Sequence, residues 1–573
     1  MSAATFAGSP RAPAMSRRML LLPLPPAALI AAMALLLVAV PPASDFPIAD
    51  DWLYARMVKS LVELGQLQIS PWSATTFVLQ AYWGALFVQL FGFSHSVLRA
   101  STLLLGAVGV LAFYLLLREL LDRWRALLGA LLLLVNPLYV HLSYTFLTDI
   151  PFLALALCAL VCYVRALRCS RFDAGWLIAG SALAGGAYLV RQLGLALPLA
   201  ALGGLLLTGP PCDFRERSRW RAALRPRYVI AVLGPFLPAL IIGTYFHDQR
   251  GPASFQPLAF TLATWSEHGP VLPGLLLTRL AGTFSTLGLF VLPLFIGALA
   301  GRSTPNGGWQ RRLAAGCLLL LLAGFIARGA IFGLGPLFPH VDGDISSRGF
   351  EISPRSGSVS SSIAVPESGL IVVTVAAFLG AGLLALGVAA ALARGTRLGP
   401  AAVPLLFGLF ALALTVAYDE FLVRYLVVLL PAAVLMVLLT FRGVTRAYVP
   451  ALAGVALLAA WSIWWEREYL ERRAAFWQAG QALVARGIAP EDVESGYEWN
   501  GWYRGEAAIA AATQQAAADG DWHRLDEYVL VGLHLKKPRW AVVYSPPGDV
   551  PGGRVLTVVS YGQGQRAVGV QRP

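Results

Sequence analysis

Residues 19–54 read MLLLPLPPAALIAAMALLLVAVPPASDFPIADDWLY, an apolar run that breaks off into the aspartates Asp45, Asp50 and Asp51. The run from 19 to 42 exceeds the ~20 residues with which a helix crosses ~30 Å of hydrocarbon. A second run, SGLIVVTVAAFLGAGLLALGVAAALA at 368–393, does the same. The whole chain shares this character: 57% of its 573 residues are hydrophobic and 13% charged, against ~25% charged in an ordinary soluble domain. A soluble globular protein is excluded. The first run is also longer than the ~7 to 15 residue core of a secretory signal, so it predicts an uncleaved first helix.

The formal charge of +13 would suit a nucleic-acid ligand if it formed one basic face. It does not, and no nucleic-acid partner is expected. Basic residues recur in short clusters after every second apolar run: Arg118, Arg123 and Arg125; Arg165, Arg168 and Arg171; six arginines between Arg215 and Arg227; Arg302, Arg311 and Arg312; Arg394 and Arg397; Arg442 and Arg446. With Arg11, Arg17 and Arg18 they number 22, against 7 arginines and lysines in the alternate segments before the tail. The positive-inside rule puts the 22 in the cytoplasm. The predicted spans are 19–42, 97–117, 126–140, 150–166, 174–190, 193–209, 228–246, 271–299, 313–336, 368–393, 400–417, 424–440 and 447–465. The expected protein is therefore a multi-pass bacterial inner-membrane protein with its N-terminus cytoplasmic and its C-terminus periplasmic. The apolar, aromatic stretch 77–93 would invert every later loop if it crossed, and is read as lying along the outer interface.

None of the five cysteines falls in a predicted outer loop, so no exported disulfide is implied. Cys158 and Cys162 lie one helical turn apart within a span, where packing explains them better than a metal does. From Glu466 onward the composition changes. An amphipathic helix near 468–486, a second helix near 505–518, and strands near 539–545, 554–560 and 566–571 predict a small domain, with Gly552 and Gly553 in a turn. The fold class is thus an all-α polytopic membrane protein of about 13 transmembrane helices with a small C-terminal α/β extracytoplasmic domain. Its two parts are a transmembrane domain, 1–465, whose outer loops 43–96 and 141–149 carry the chemistry, and a periplasmic domain, 466–573.

Charged residues are scarce on the outer side, so those crowded against helix ends are the candidates. Asp50 and Asp51 directly follow the first span. Asp50 is either the cap of a helix that starts at Asp51 or a carboxylate that deprotonates an acceptor hydroxyl, with Asp51 holding its geometry. Asp149, in Thr148-Asp149-Ile150-Pro151, is either a helix cap or part of the same pocket. Arg191 at the outer end of the fifth span and Arg424 at the head of the twelfth offer the planar fork that suits a phosphate. Their alternatives are snorkelling to the interface, or for Arg424 a pairing with Glu420. Arg279, at membrane depth in the eighth span, requires a partner or a cavity. In the tail, Tyr497, Trp499, Asn500, Trp502 and Tyr503 either bind a sugar or form the small domain's own core.

At Asp50, Asp51 and Tyr54 the chain resembles the C superfamily of membrane glycosyltransferases, and more narrowly the family-39-like group of protein O-mannosyltransferases and the aminoarabinose transferase of lipid A. Those enzymes carry an acidic pair early in the first outer loop, often followed by Tyr. Thr148 to Pro151 is similar to their second-loop Asp, and Arg424-Tyr425 to their late Arg-Tyr helix start. The second acid is Asp51 where Glu is commoner, and no lysine here matches the one that holds lipid phosphate in the aminoarabinose enzyme. The resemblance implies a glycosyltransferase that moves a sugar from a polyprenyl-phosphate donor to a lipid, glycan or protein acceptor on the periplasmic face. Asp50 is then the general base, Asp51 and Asp149 complete the catalytic group, and Tyr54, Arg191, Arg279, Glu420, Arg424 and Tyr425 bind substrate. It implies no catalytic metal or other cofactor, although a divalent ion between the acids remains chemically open. The competing class is a carrier or flippase of lipid-linked sugars, which calls for inverted repeats and polar groups at the midplane; Arg279 is the feature in its favour.

Overall fold

The computed structural model describes residues 24–42, 44–168, 173–208, 225–249, 265–266, 269–300, 316, 319, 367–418, 422–440, 448–535, 538–545, 553–562 and 564–572. Among these, seven helices are long and apolar enough to cross a membrane, or eight if one bent pair counts as a span, and four shorter apolar helices stand beside them. Apolar side chains on the outside of the bundle, Leu35, Val38, Ile241, Val449 and Leu457 among them, are exposed. That is the exterior a hydrocarbon solvent requires. The protein is a multi-pass helical membrane protein with a small C-terminal sheet domain.

The chain opens with α1 (Leu24–Ala39), α2 (Asp51–Leu64), α3 (Val78–Phe91), α4 (His95–Leu120), α5 (Arg123–Leu134), α6 (Pro137–Ser143), α7 (Asp149–Arg168), α8 (Ala174–Tyr188) and α9 (Ala196–Thr208). Helices Pro226–Leu233, Leu237–Asp248, Leu272–Ala300, Glu367–Arg394, Ala402–Ala417, Leu430–Thr440 and Tyr448–Val484 follow. Local chemistry sets several boundaries. Ser94 caps α4 by accepting the Val97 amide, and Asp122 caps α5 by accepting the amides of Trp124 and Arg125. Gly65, at φ +71°, closes α2 in the left-handed conformation.

Four predicted boundaries are corrected. The span at 126–140 is two helices, because Asn136 caps a new start at Pro137 and α6 turns 60° away from α5. The second outer loop shrinks accordingly to residues 144–148. The last span and the first tail helix, predicted apart, are the single helix Tyr448–Val484. The next helix, Tyr497–Asp519, starts eight residues before the predicted 505 and takes in the whole aromatic cluster. The sequence around Glu466 holds no Pro or Gly to break the first of these, and Gly496 at φ +89° gives the second its start. All of the predicted span at 313–336 but residues 316 and 319 lies outside the described residues, as do the predicted turn residue Gly552 and Cys169, Cys212 and Cys317. Cys158 and Cys162 are free, the second of them buried.

The terminal sheet comprises β1 (Val493–Glu494), β2 (Trp540–Ser545), β3 (Arg554–Tyr561) and β4 (Gln565–Gln571), ordered β1-β2-β4-β3. β1 pairs with β2 in parallel; β4 lies antiparallel to both β2 and β3. Two features seat this domain on α2 and the end of α3. Trp52 of α2 is fully buried against Gly501 and Gly505, where an added Cβ would come within 2.3 Å of its indole ring. Trp502 stacks on Phe93, with ring centres 6.0 Å apart, and lies under the Arg56 guanidinium at 4.8 Å. Gly501→Ala should therefore cost ~1–3 kcal/mol, the usual toll of overpacking a filled site. Limited trypsin digestion of the purified protein should then cut within residues 466–573 earlier than in wild type.

Candidate active site

Asp50 and Asp51 are adjacent in sequence but differ in surroundings. Ala49 adopts φ +51°, a left-handed conformation rare for a residue with a Cβ, and this turn sends the two carboxylates in different directions. Asp51, 3% exposed, folds back to accept the Ile48 amide at 2.6 Å and reaches across to accept the Phe146 amide at 3.3 Å. It fastens the loop before α2 to the loop between α6 and α7. Burial pushes its carboxyl up to about 8, against the opposing charge of Arg99. Asp50 has a side chain 30% exposed and makes no capping bond to α2, so the capping alternative is not what the structure contains. Its Oδ2 accepts from Arg424 Nη1 at 2.9 Å and its Oδ1 from the Tyr497 hydroxyl at 2.6 Å.

The cations converge from the other side. Arg191 follows the end of α8 and forms an ion pair with Asp149, the first residue of α7. Asp149 is thus a buried counter-ion of Arg191 rather than a helix cap. The Arg191 guanidinium also lies 4.9 Å from the centre of the Tyr425 ring, and that of Arg424 lies 5.6 Å from it. One ring so gathers both cations. The approach is fixed by backbone: the amides of Phe77 and Leu79 donate to the carbonyls of Val190 and Leu189, each at 3.1 Å, which stitches the start of α3 to the end of α8. Tyr54, one turn into α2, packs on Phe77 with ring centres 4.7 Å apart and meets the Thr75 hydroxyl at 3.4 Å.

Asp50, Asp51, Tyr54, Asp149, Arg191, Arg424 and Tyr425 are therefore drawn together at one end of the bundle. Arg279 stands beside this group: its Nη1 donates to the carbonyls of Val416 at 3.3 Å and Tyr418 at 2.8 Å, where a cation suits the end of helix Ala402–Ala417, and the Tyr418 ring lies 6.0 Å from that of Tyr425. These carbonyls face a guanidinium that is half-buried. Glu420 lies outside the described residues. Among the described residues no three His, Cys, Asp or Glu side chains converge as a metal site would require.

Two side chains matter more than the sequence suggested. Arg99, fully buried in the first turns of α4, donates to the carbonyls of Pro42 at 3.3 Å, Ser44 at 2.8 Å and Phe46 at 3.1 Å. It winds the first loop around itself. An arginine inside an apolar helix was the available signal. In the sequence Tyr497 is one ring of an aromatic group; in the structure its hydroxyl is the one of that group bonded to Asp50. Trp499 and Asn500 are fully buried; Trp499 packs on Trp477 and Tyr503 with ring centres 4.9 and 4.6 Å apart. The core alternative holds for these two.

Residues 78–241 match a family model described as dolichyl-phosphate-mannose-protein mannosyltransferase. The stretch runs from α3 through Asp149 and Arg191 into the helix Leu237–Asp248, and the chain resembles the membrane glycosyltransferases of the C superfamily. No curated protein matches the chain. Among solved structures it is similar to ArnT from Cupriavidus metallidurans bound to undecaprenyl phosphate, at 16% identity and a TM-score of 0.36, over 95% of this chain and 97% of that one. It is also similar to an oligosaccharyltransferase from Archaeoglobus fulgidus, at 15% identity and a TM-score of 0.38, over 91% of this chain and 59% of that one.

Proposed function

We propose that this chain is a glycosyltransferase that takes a sugar from a polyprenyl-phosphate donor and passes it to a hydroxyl-bearing lipid, glycan or protein at the outer face of the inner membrane. The observation that carries the reading is the arrangement of Asp50: a partly exposed carboxylate 2.9 Å from Arg424, with a second guanidinium, Arg191, on the same tyrosine ring. A base beside two anion-binding groups is what transfer from a glycosyl phosphate needs. The description of the family matched over 78–241 supports a lipid-linked sugar donor. The outward facing of the site rests on the arginine distribution. The tail shares that face because Tyr497 meets Asp50.

In the proposed step the Asp50 carboxylate takes the proton of the acceptor hydroxyl as its oxygen bonds to the anomeric carbon from the side opposite the phosphate. The bond from that carbon to the phosphate oxygen breaks, and its electron pair leaves with the polyprenyl phosphate. Configuration inverts. Arg424, and Arg191 beyond it, offset the charge that grows on the leaving group; Asp51 and Asp149 hold the loops and the second cation in position. Arg279, the feature that favoured a carrier, donates to backbone carbonyls, and the gathering of the acids and arginines at one end of the bundle supports the transferase.

The test is the purified full-length protein in lipid nanodiscs with undecaprenyl phosphate carrying radiolabelled mannose or arabinose, and with glycerol in excess as a model acceptor hydroxyl. The expected result is consumption of donor with release of undecaprenyl phosphate. A folded protein that consumes neither donor, yet moves it across the bilayer of a proteoliposome, would favour the carrier. Because two arginines supply the positive charge in this scheme, an excess of EDTA in the same assay should leave the rate within about twofold, far less than the ~10²-fold or greater loss expected on removing one essential electrostatic group.

A further inference from the structure

The C-terminal domain reaches Asp50 through one side chain. Tyr497 is the first residue of helix Tyr497–Asp519, and its hydroxyl donates to Asp50 Oδ1 at 2.6 Å. The same turn holds the loop beside it: Glu498 accepts the strained Ala49 amide at 3.4 Å and is itself paired with Arg473 at 3.0 Å. Tyr497 is buried, its ring set edge-on to Trp52 with centres 6.4 Å apart. Burial, and then the charge of Asp50, hold the phenol protonated well above its ordinary range, so it stays a donor throughout the physiological range.

An alcohol O–H directed at one oxygen of Asp50, with Arg424 on the other oxygen, has the relation to the carboxylate that an acceptor hydroxyl must adopt. We propose that Tyr497 stands in for the acceptor: its hydroxyl fills the acceptor position on Asp50 until a genuine acceptor displaces it, and so keeps water from being activated against the donor. The proposal rests on Asp50 being the base. Without the phenol, water occupies the position and gives its proton to Asp50. Its oxygen bonds to the anomeric carbon, the bond to the phosphate oxygen breaks, and its electron pair leaves with the polyprenyl phosphate. Free sugar is released. The tail is thus a guard on the reaction as well as a docked domain, and Tyr497 is the residue through which it acts.

The experiment uses the full-length protein in nanodiscs with undecaprenyl phosphate carrying radiolabelled mannose or arabinose, no acceptor present, and reads free sugar released to water. Tyr497→Phe keeps the ring and the packing; it should release free sugar about tenfold faster than wild type, the worth of one hydrogen bond to a charged group no longer to be displaced. Tyr503→Phe removes a hydroxyl six residues along the same helix, on a ring stacked 6.0 Å from Trp477, and should match wild type. With glycerol added as a model acceptor, Tyr497→Phe should show a lower KM for glycerol. Equal or slower release by Tyr497→Phe, with a melting temperature like that of wild type, overturns the proposal while leaving the transferase standing. Faster release by both variants overturns it too, because general loosening of the tail would then be the cause. Folded wild type and folded Tyr497→Phe that both leave each donor intact, with and without glycerol, overturn the transferase reading and this proposal together.

Discussion

Asp50→Asn should cut sugar transfer ~10² to 10⁴-fold, the range in which a positioned general base contributes, while undecaprenyl phosphate still binds. The substitution keeps the size of the side chain and one oxygen to accept from Tyr497 or Arg424, so the fold has little reason to change. A capping aspartate would predict near silence, since Asn caps about as well as Asp; but Asp50 makes no capping bond to α2, so a loss cannot be assigned to the helix. Breaking the link to Arg424 also releases that guanidinium for the donor phosphate, and lipid binding should hold or tighten as catalysis falls. The measurement is transfer by membranes carrying equal amounts of wild-type and variant protein. Near-normal transfer by Asp50→Asn would end the case for this base.

The pair Arg191 and Asp149 should give the largest effect on stability. Asp149 has a side chain 3% exposed and Arg191 one of 15%, so either left alone is a charge without water or counter-ion. Arg191→Leu should cost ~3–5 kcal/mol, as when one member of a buried pair is removed. Asp149→Leu should cost a similar amount. The double variant should regain much of this, because two apolar side chains strand no charge and contacting residues do not add independently. Transfer should not return with stability, since the cation near Tyr425 is gone. Heating each protein in detergent and measuring the fraction that stays monodisperse reads the first quantity, and donor consumption by the surviving fraction reads the second. Additive losses in the double variant would show that the two residues do not act as a pair.

The membrane class, most helix positions and the three late strands were legible because each follows from a local pattern: apolar length, arginine clusters and turn residues. So was the list of suspects, since acids and arginines at outer helix ends stand out against so apolar a background. Their pairing was not legible. Asp50 and Arg424 are 374 positions apart, and nothing local distinguishes the arginine that meets Asp50 from the one that meets Asp149. Nor could spacing tell Asp50 from Asp51: the division of labour depends on the turn at Ala49, a conformation that alanine does not announce. Arg279 shows the converse. Its depth signalled a partner, and two of the groups it meets are carbonyls at the end of another helix; backbone groups carry no sequence signature. For the tail aromatics both readings were open, and burial divides them residue by residue rather than choosing one.

The 37-residue helix Tyr448–Val484 is the shaft on which the last membrane crossing and the terminal domain are both mounted, ~55 Å long at 1.5 Å per residue. Rotation and height are coupled along such a shaft. One residue inserted near Glu466 would turn everything beyond it by ~100° and raise it by 1.5 Å, carrying the terminal domain off α2 and Tyr497 away from Asp50. Only changes near whole numbers of turns, such as seven or eleven residues, would restore the phase, and each would lift the domain by ~10 Å or more. The length between the last crossing and Tyr497 is therefore held to a single value by geometry, in a stretch whose individual solvent-facing side chains are free to vary.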